Sequence, residues 1–139
     1  MKGFVLDASV ALRWFLDHPM PAYANRVKQF FLKGDRAMVP ALWHLEMSNG
    51  LAVAERRSIL TAPDVDQAMI DIEQIVAQAV DTDGNIVSVR QSLATARAFQ
   101  LSAYNAVYLD LARRERLPLA TLDDRLRAAA AHAEVELLR

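Results

Sequence analysis

Three acidic residues, Asp7, Glu46 and Asp123, stand where the fold could bring them together for chemistry. Asp7 ends a short apolar run that begins at Phe4, and an apolar helical segment follows it. Such a run is typical of a strand buried on both faces. Because ligands bind at the carboxyl ends of strands in open α/β sheets, Asp7 is a candidate site residue. The alternative is that Asp7 only caps the helix that follows.

The rest of the chain alternates short apolar runs with helical patterns, without repeats or linkers. Every connection is long enough for a crossover, which predicts parallel strands. We therefore predict an α/β fold, a three-layer α/β/α sandwich with a short parallel central sheet, in one domain over residues 1–139. Strands are expected at 4–6, 37–40, 117–121 and 135–138, a break at 81–85, and helices at 8–16, 23–33, 41–57, 61–80, 88–99, 103–115 and 123–132.

In a parallel sheet all carboxyl strand ends share one edge, so Asp7 and Asp123 should meet there. Glu46 should join them from the second turn of a helix that starts at the same edge. Two carboxylates about 4 Å apart repel by on the order of 4 kcal/mol at an effective dielectric of 20, so the cluster implies a cation. Oxygen ligands without His or Cys favour Mg²⁺, with Mn²⁺ possible. We therefore predict metal-assisted phosphodiester hydrolysis with Asp7, Glu46 and Asp123 as catalytic residues.

Composition limits the other classes of function. The chain has no cysteine, which excludes disulfides and thiolate chemistry. Its 16 basic and 17 acidic residues give a net charge of −1, so a phosphate-binding surface must be a local patch. No run is long and apolar enough for a membrane span, and the start at Met1 leads directly into a strand rather than a signal peptide. We expect a cytoplasmic protein without membrane contact.

Four segments resemble, in order, the four motifs of PIN-domain ribonucleases, and more narrowly those of VapC-type toxins of bacterial toxin–antitoxin systems: residues 5–9, 40–49, 101–109 and 119–126. The resemblance spans essentially the whole chain. It implies a Mg²⁺-dependent endoribonuclease that cleaves single-stranded or loop RNA. It also implies a homodimer that is neutralised by a cognate antitoxin.

The third motif departs from this resemblance. The family has an acid where this chain has Asn105, after Tyr104. An amide carbonyl can bind a metal or a water, so Asn105 joins Asp7, Glu46 and Asp123 as a candidate ligand, but it carries no charge. Three explanations remain open: a natural variant of altered activity, a degenerate toxin that keeps its binding roles, or a deliberate inactivating substitution. Asp110 is five residues further on and should face away from Asn105.

Four further residues are candidates for substrate binding or for supporting the acids. Ser9 could hydrogen-bond to Asp7 or a phosphate, or only cap a helix. Asn49 could orient Glu46 or lie at the surface. Thr121 and Arg13 stand near the fourth and first motifs, and Arg13 could contact RNA. Asp123 and Glu46 also have simpler alternatives, as a helix cap and a solvated helix residue.

A second class of function competes with the nuclease. The chain could be a catalytically silent PIN-fold module that binds an antitoxin or RNA without cleaving it, which the amide at Asn105 favours. A weaker third alternative is a phosphatase or DNA nuclease that uses the same acids.

Overall fold

The structure is a computed structural model that describes residues 3–139. Met1 and Lys2, which we expected to lead directly into the first strand, lie outside the described residues. The strands are β1 (Gly3–Leu6), β2 (Arg36–Val39), β3 (Val80–Thr82) and β4 (Leu119–Ala120). The helices are α1 (Ala8–Ala11), α2 (Arg13–Leu16), α3 (Ala22–Leu32), α4 (Ala41–Arg56), α5 (Ala62–Ala79), α6 (Val89–Phe99), α7 (Ala103–Glu115) and α8 (Asp124–His132).

The strands form one sheet in the order β3-β2-β1-β4, and all three pairings are parallel. Val5 on β1 lies opposite Met38 on β2 and Leu119 on β4. Helices connect the successive strands, as parallel pairing requires. The predicted α/β sandwich with a short parallel central sheet is therefore confirmed.

β1 is the centre of the hydrophobic core, because all four of its residues are buried. On this strand Phe4 packs against Phe30 and Phe31 of α3, with ring centroids 5.8 and 5.7 Å apart. Helix α7 packs against β1, β4, α6 and α8. The residue that follows β1 is thus held by a strand that is enclosed on both sides.

The edge strand β3 (Val80–Thr82) lies where the sequence predicts the end of a helix and a break at 81–85, so that prediction is wrong for its first two residues. Val80 is buried and pairs with Ala37 of β2, whereas Asp81 is exposed and forms a bidentate ion pair with Arg36 at 2.9 Å. A three-residue strand with polar residues lacks the apolar run that indicates a buried strand. Such short, charged edges also discourage pairing with other chains.

Two predicted strands, 117–121 and 135–138, were too long, and one predicted helix is divided. The first of these strands is reduced to β4 (Leu119–Ala120). The predicted helix 8–16 is divided into α1 and α2 at Leu12, although the backbone angles there remain helical. The predicted strand 135–138 is reduced to a single bridge between Leu119 and Leu137. None of the helices in residues 3–139 has the length and apolar character needed to span a bilayer.

Candidate active site

Asp7 lies in a cradle of hydroxyl groups at the carboxyl end of β1. Its side chain is buried, with only 4% of the residue exposed. Its Oδ2 accepts a hydrogen bond from Thr121 Oγ1 at 2.7 Å and one from Ser9 Oγ at 2.8 Å. Both hydroxyls use the same oxygen, so in the described residues Oδ1 receives no side-chain hydrogen bond. The cradle therefore fixes the rotation of the carboxylate and leaves one oxygen for another ligand.

The same two hydroxyls tie Asp7 to the loop after β4. Thr121 Oγ1 accepts from the Asp123 backbone N–H at 3.0 Å, and Ser9 Oγ accepts from the Leu122 N–H at 3.0 Å. Each hydroxyl thus links a backbone N–H group of this loop to the carboxylate of Asp7. The neighbouring parallel strands make this possible, because the Asp7 N–H donates to the Ala120 carbonyl at 3.0 Å. Ser9 and Thr121 are therefore supports of Asp7.

Asp7 does not act as the helix cap that the simpler alternative proposed. It occupies the position before α1, yet its side chain makes no capping hydrogen bond to that helix. Asp123 does cap a helix, because its Oδ1 accepts from the Leu126 N–H at 2.9 Å. The other oxygen of Asp123 has no hydrogen-bond partner in the part of the chain that the structure describes, so it is available to a ligand.

Glu46 reaches the same edge from the second turn of α4. The helix begins directly after β2, as the sequence predicts. Its Oε1 accepts a hydrogen bond from the Tyr108 hydroxyl of α7 at 2.6 Å, and the Glu46 side chain is half-buried. The Tyr108 hydroxyl also accepts from the Ala8 N–H at 3.4 Å. Glu46 is therefore held by a neighbouring helix and is not a freely solvated helix residue.

Asn105 lies one turn before Tyr108 on α7, and residues three apart share a helix face. Because α7 leads into β4, its amino end lies at the carboxyl edge of the sheet. The backbone N–H of Asn105 donates to Ser102 Oγ at 3.1 Å, which caps the helix. Its half-buried side chain has no hydrogen-bond partner within residues 3–139, so the amide is available to a ligand.

The acids influence one another electrostatically. Burial raises the pKa of Asp7, the Thr121 and Ser9 hydrogen bonds oppose this, and the Asp123 charge adds to it. Burial likewise raises the pKa of Glu46, the Tyr108 hydrogen bond opposes the shift, and the Asp7 charge adds to it. Burial and the charges of Asp7 and Glu46 raise the pKa of Tyr108, which stays a hydrogen-bond donor. Asp7 is thus within electrostatic reach of both Asp123 and Glu46.

Within residues 3–139, no hydrogen bond joins the three acids of the site to Arg13, Asn49 or Asp110. Arg13 forms an ion pair with Asp17 at 2.9 Å, one turn further along the chain. Asn49 is exposed, which agrees with the second of its two alternatives, and the hydrogen bond to Glu46 comes from Tyr108. Asp110 accepts from Thr95 of α6 at 2.7 Å, so it faces away from Asn105 as expected.

Residues 4–132 match the family model of the PIN domain. The chain belongs to the PIN domain family. PIN domains are in general metal-dependent nucleases. Among solved structures, the chain is similar to the crystal structure of PAE2754 from Pyrobaculum aerophilum, with a TM-score of 0.67 and 22% sequence identity. The match covers 92% of this chain and 79% of that one, and at this identity it shows the fold alone. No curated protein matches the chain.

The donors of this PIN domain fit a hard divalent cation by their chemistry. They are carboxylate and amide oxygens, without a nitrogen or sulfur ligand. Within residues 3–139, however, no three His, Cys, Asp or Glu side chains are grouped so that they could hold a metal. The fourth position is an amide, and Glu46 is directed towards Tyr108. Mg²⁺ commonly uses one or two carboxylates together with waters and a substrate phosphate, so a pair of carboxylates is sufficient.

Tyr108 is the site residue that the sequence analysis did not single out. It is fully buried, and a tyrosine on an apolar helix face is usually read as part of the core. The available signal was its spacing of three residues from Asn105, on the face that meets the acids. The hydroxyl needs a partner when buried, and Glu46 provides it.

Proposed function

We propose that this chain is a Mg²⁺-dependent endoribonuclease of the VapC type, a toxin that is neutralised by a cognate antitoxin. The observation that carries the proposal is the hydroxyl cradle of Asp7, beside Asp123 and Glu46, in a PIN domain. Burial and the neighbouring Asp123 charge both disfavour the ionised form of Asp7, and a bound cation would offset both effects. The four motif resemblances favour the VapC type and RNA as the substrate.

In the proposed nuclease, the residues of the site have two roles, metal binding and activation of the attacking water. Asp7 and Asp123 would hold the ion, with the Asn105 carbonyl as a neutral ligand and Glu46 contributing to the ion's binding through a water. When bound, Mg²⁺ activates a water and stabilises charge on the phosphoryl oxygens. Glu46, held by Tyr108, would orient the attacking water or accept its proton. Mn²⁺ could replace Mg²⁺, since it accepts the same oxygen ligands. We also propose a homodimer in the cytoplasm.

The main alternative is a PIN module that binds an antitoxin or RNA without cleavage. Two observations favour it: the amide at Asn105, and the lack in residues 3–139 of three acids grouped for a metal. In this case the acidic edge would receive the basic groups of a partner. The two functions differ in a simple way, because only the nuclease requires a metal for its effect on RNA.

The deciding experiment incubates purified, antitoxin-free protein with total RNA in Mg²⁺, Mn²⁺ or EDTA. The variants are Asn105→Asp and, as a control of the same shape, Asp7→Asn. Metal-dependent cleavage that Asp7→Asn abolishes would support the nuclease. Cleavage by Asn105→Asp alone would favour the silent module for the present chain. If neither form cleaves RNA in either metal, the nuclease proposal is wrong.

The toxin assignment needs a separate test, because a nuclease need not be a toxin. Induced expression of the chain and of Asn105→Asp in a bacterial host should arrest growth, and Asp7→Asn should relieve the arrest. Growth that is equal in all three cultures, with the proteins expressed to the same level, would contradict the toxin role while leaving the nuclease activity open.

A further inference from the structure

Tyr108 connects three elements of the site through one hydroxyl group. The residue comes from α7 and donates to Glu46 of α4 at 2.6 Å. The same oxygen accepts from the Ala8 N–H at 3.4 Å, next to Asp7. One oxygen atom therefore joins the carboxylate of Glu46 to the turn that carries Asp7.

The core does not require this hydroxyl. The Tyr108 residue is fully buried, and a phenylalanine ring would fill nearly the same space. A buried hydroxyl lowers stability unless it is hydrogen-bonded, so its presence in the core needs a reason. Both of its contacts lie at the acidic edge of the sheet, and hydrogen bonds to carboxylates are the stronger kind.

Without the hydrogen bond from Tyr108, the side chain of Glu46 could adopt several rotamers. The side chain of a glutamate is long, and Glu46 is only half-buried on the second turn of α4. No other side chain within residues 3–139 hydrogen-bonds to its carboxylate. Partners of this kind set the orientation of a metal ligand or a catalytic base, although they touch neither metal nor substrate.

We propose that Tyr108 is a positioning residue, whose hydroxyl holds the Glu46 carboxylate at a fixed place relative to Asp7 so that metal binding and cleavage depend on it. This inference rests on the proposed metal-dependent function. It adds a residue from the third motif segment that acts through Glu46.

The test measures Mn²⁺ affinity by titration calorimetry for Tyr108→Phe, in the present chain and in the Asn105→Asp background. We expect affinity about 10–100-fold weaker, the usual effect of losing such a partner. The matched control is Thr95→Val, which removes a buried hydroxyl that donates to the Asp110 carboxylate at 2.7 Å on the face of α7 directed away from the site. That control should leave Mn²⁺ affinity unchanged. Equal affinities of the parent and Tyr108→Phe would overturn the proposal.

A double-mutant cycle separates positioning from a general structural effect. In a Glu46→Ala background, Tyr108→Phe should weaken Mn²⁺ binding no further, because its hydroxyl acts through Glu46. A further loss of similar size would contradict the proposal. If neither parent binds Mn²⁺, the proposed metal-dependent function fails and this inference fails with it, whereas binding that Tyr108→Phe leaves intact defeats the inference alone.

A measurement on the unaltered protein covers the case in which Tyr108→Phe does not fold. The buried hydroxyl proton of Tyr108 can be followed by NMR while Mg²⁺ is added. Mg²⁺ binding should shift this resonance, because the proton is hydrogen-bonded to the carboxylate of Glu46. An unshifted resonance at saturating Mg²⁺ would overturn the proposal.

Discussion

The hydroxyl of Thr121 should be the most important single support of the candidate site. It donates to Asp7 Oδ2 at 2.7 Å and accepts from the Asp123 N–H at 3.0 Å, and the residue is fully buried. Thr121→Val keeps the shape and removes the hydroxyl. We expect it to lower the free energy of unfolding and to weaken Mg²⁺ binding, because Asp7 would lose one of its two hydroxyl donors.

The size of the effect follows from the two hydrogen bonds. A bond to a charged carboxylate contributes about 1.5–3 kcal/mol, and an N–H left without its partner costs further free energy. We therefore expect Thr121→Val to lose about 2–4 kcal/mol. For a chain of this length that corresponds to a fall in Tm of about 10 °C.

The dependence on pH distinguishes this hydrogen bond from packing. The Thr121 bond lowers the pKa of Asp7 against the effect of burial, so it stabilises the ionised form. Its contribution is therefore full where Asp7 is ionised in the folded protein and is lost as the pH falls and Asp7 is protonated. The difference between parent and Thr121→Val should be large at neutral pH and should shrink on acidification.

The assay is urea unfolding in EDTA at several pH values, with Thr121→Ser as the control. The serine keeps the hydroxyl and loses one buried methyl group, which costs about 1 kcal/mol at every pH. A Thr121→Val loss that equals the Thr121→Ser loss, or that does not change with pH, would refute the reasoning.

Three further predictions concern the charges and the helix cap of the site. In urea unfolding without metal, Asp7→Asn should gain stability relative to the parent as the pH rises from acid to neutral. Burial raises the pKa of Asp7 in the folded protein above its ordinary 3.8, so the parent loses stability as the pH rises through this window. Free energies of unfolding that change with pH in parallel for the two proteins would contradict this. In EDTA, Asn105→Asp should have a Tm a few degrees lower than the parent, because the added negative charge costs about 1 kcal/mol beside the other acids. Mg²⁺ should raise the Tm of this variant more than that of the parent. A higher Tm of the variant in EDTA would show that the acids do not repel the added charge. Ser102→Ala should lose about 1 kcal/mol in the same melts, because it removes the cap at the start of α7, and an unchanged Tm would show that the cap is dispensable.

The sequence predicted the part of the fold that depends on strong local signals. β1 is a continuous apolar run, and α5 begins with a Thr61 cap and an early proline, which the structure confirms as a capping box with Asp64. β3 was missed because only Val80 is buried, and its pairing with β2 is a long-range contact without a pattern of its own.

The part of the candidate site that follows from the topology of the sheet, the position of its acids at one edge, was predictable from the sequence. Parallel strands brought Asp7 and the Asp123 loop to one edge, and α4 brought Glu46 there. The side-chain contacts depend on rotamers and on distances between elements, which cannot be predicted from the spacing of residues in the sequence. The sequence indicates Ser9 and Thr121, but not that both donate to the same oxygen of Asp7. It does not indicate that Arg13 pairs with Asp17, or that the buried Tyr108 hydroxyl contacts Glu46.

The hydrogen bonds of the site all favour charged carboxylates in a place that burial makes unfavourable for charge. Ser9 and Thr121 lower the pKa of Asp7, and Tyr108 lowers that of Glu46, yet both pKa values remain raised. The hydroxyls therefore compensate only partly, and a bound cation would supply the rest. Because a ligand that binds only the folded state stabilises it, the stability of this chain should rise with Mg²⁺ concentration. Compared with an acid at the same position, the amide of Asn105 would reduce both the repulsion and the cation affinity, so Asn105→Asp should strengthen this dependence.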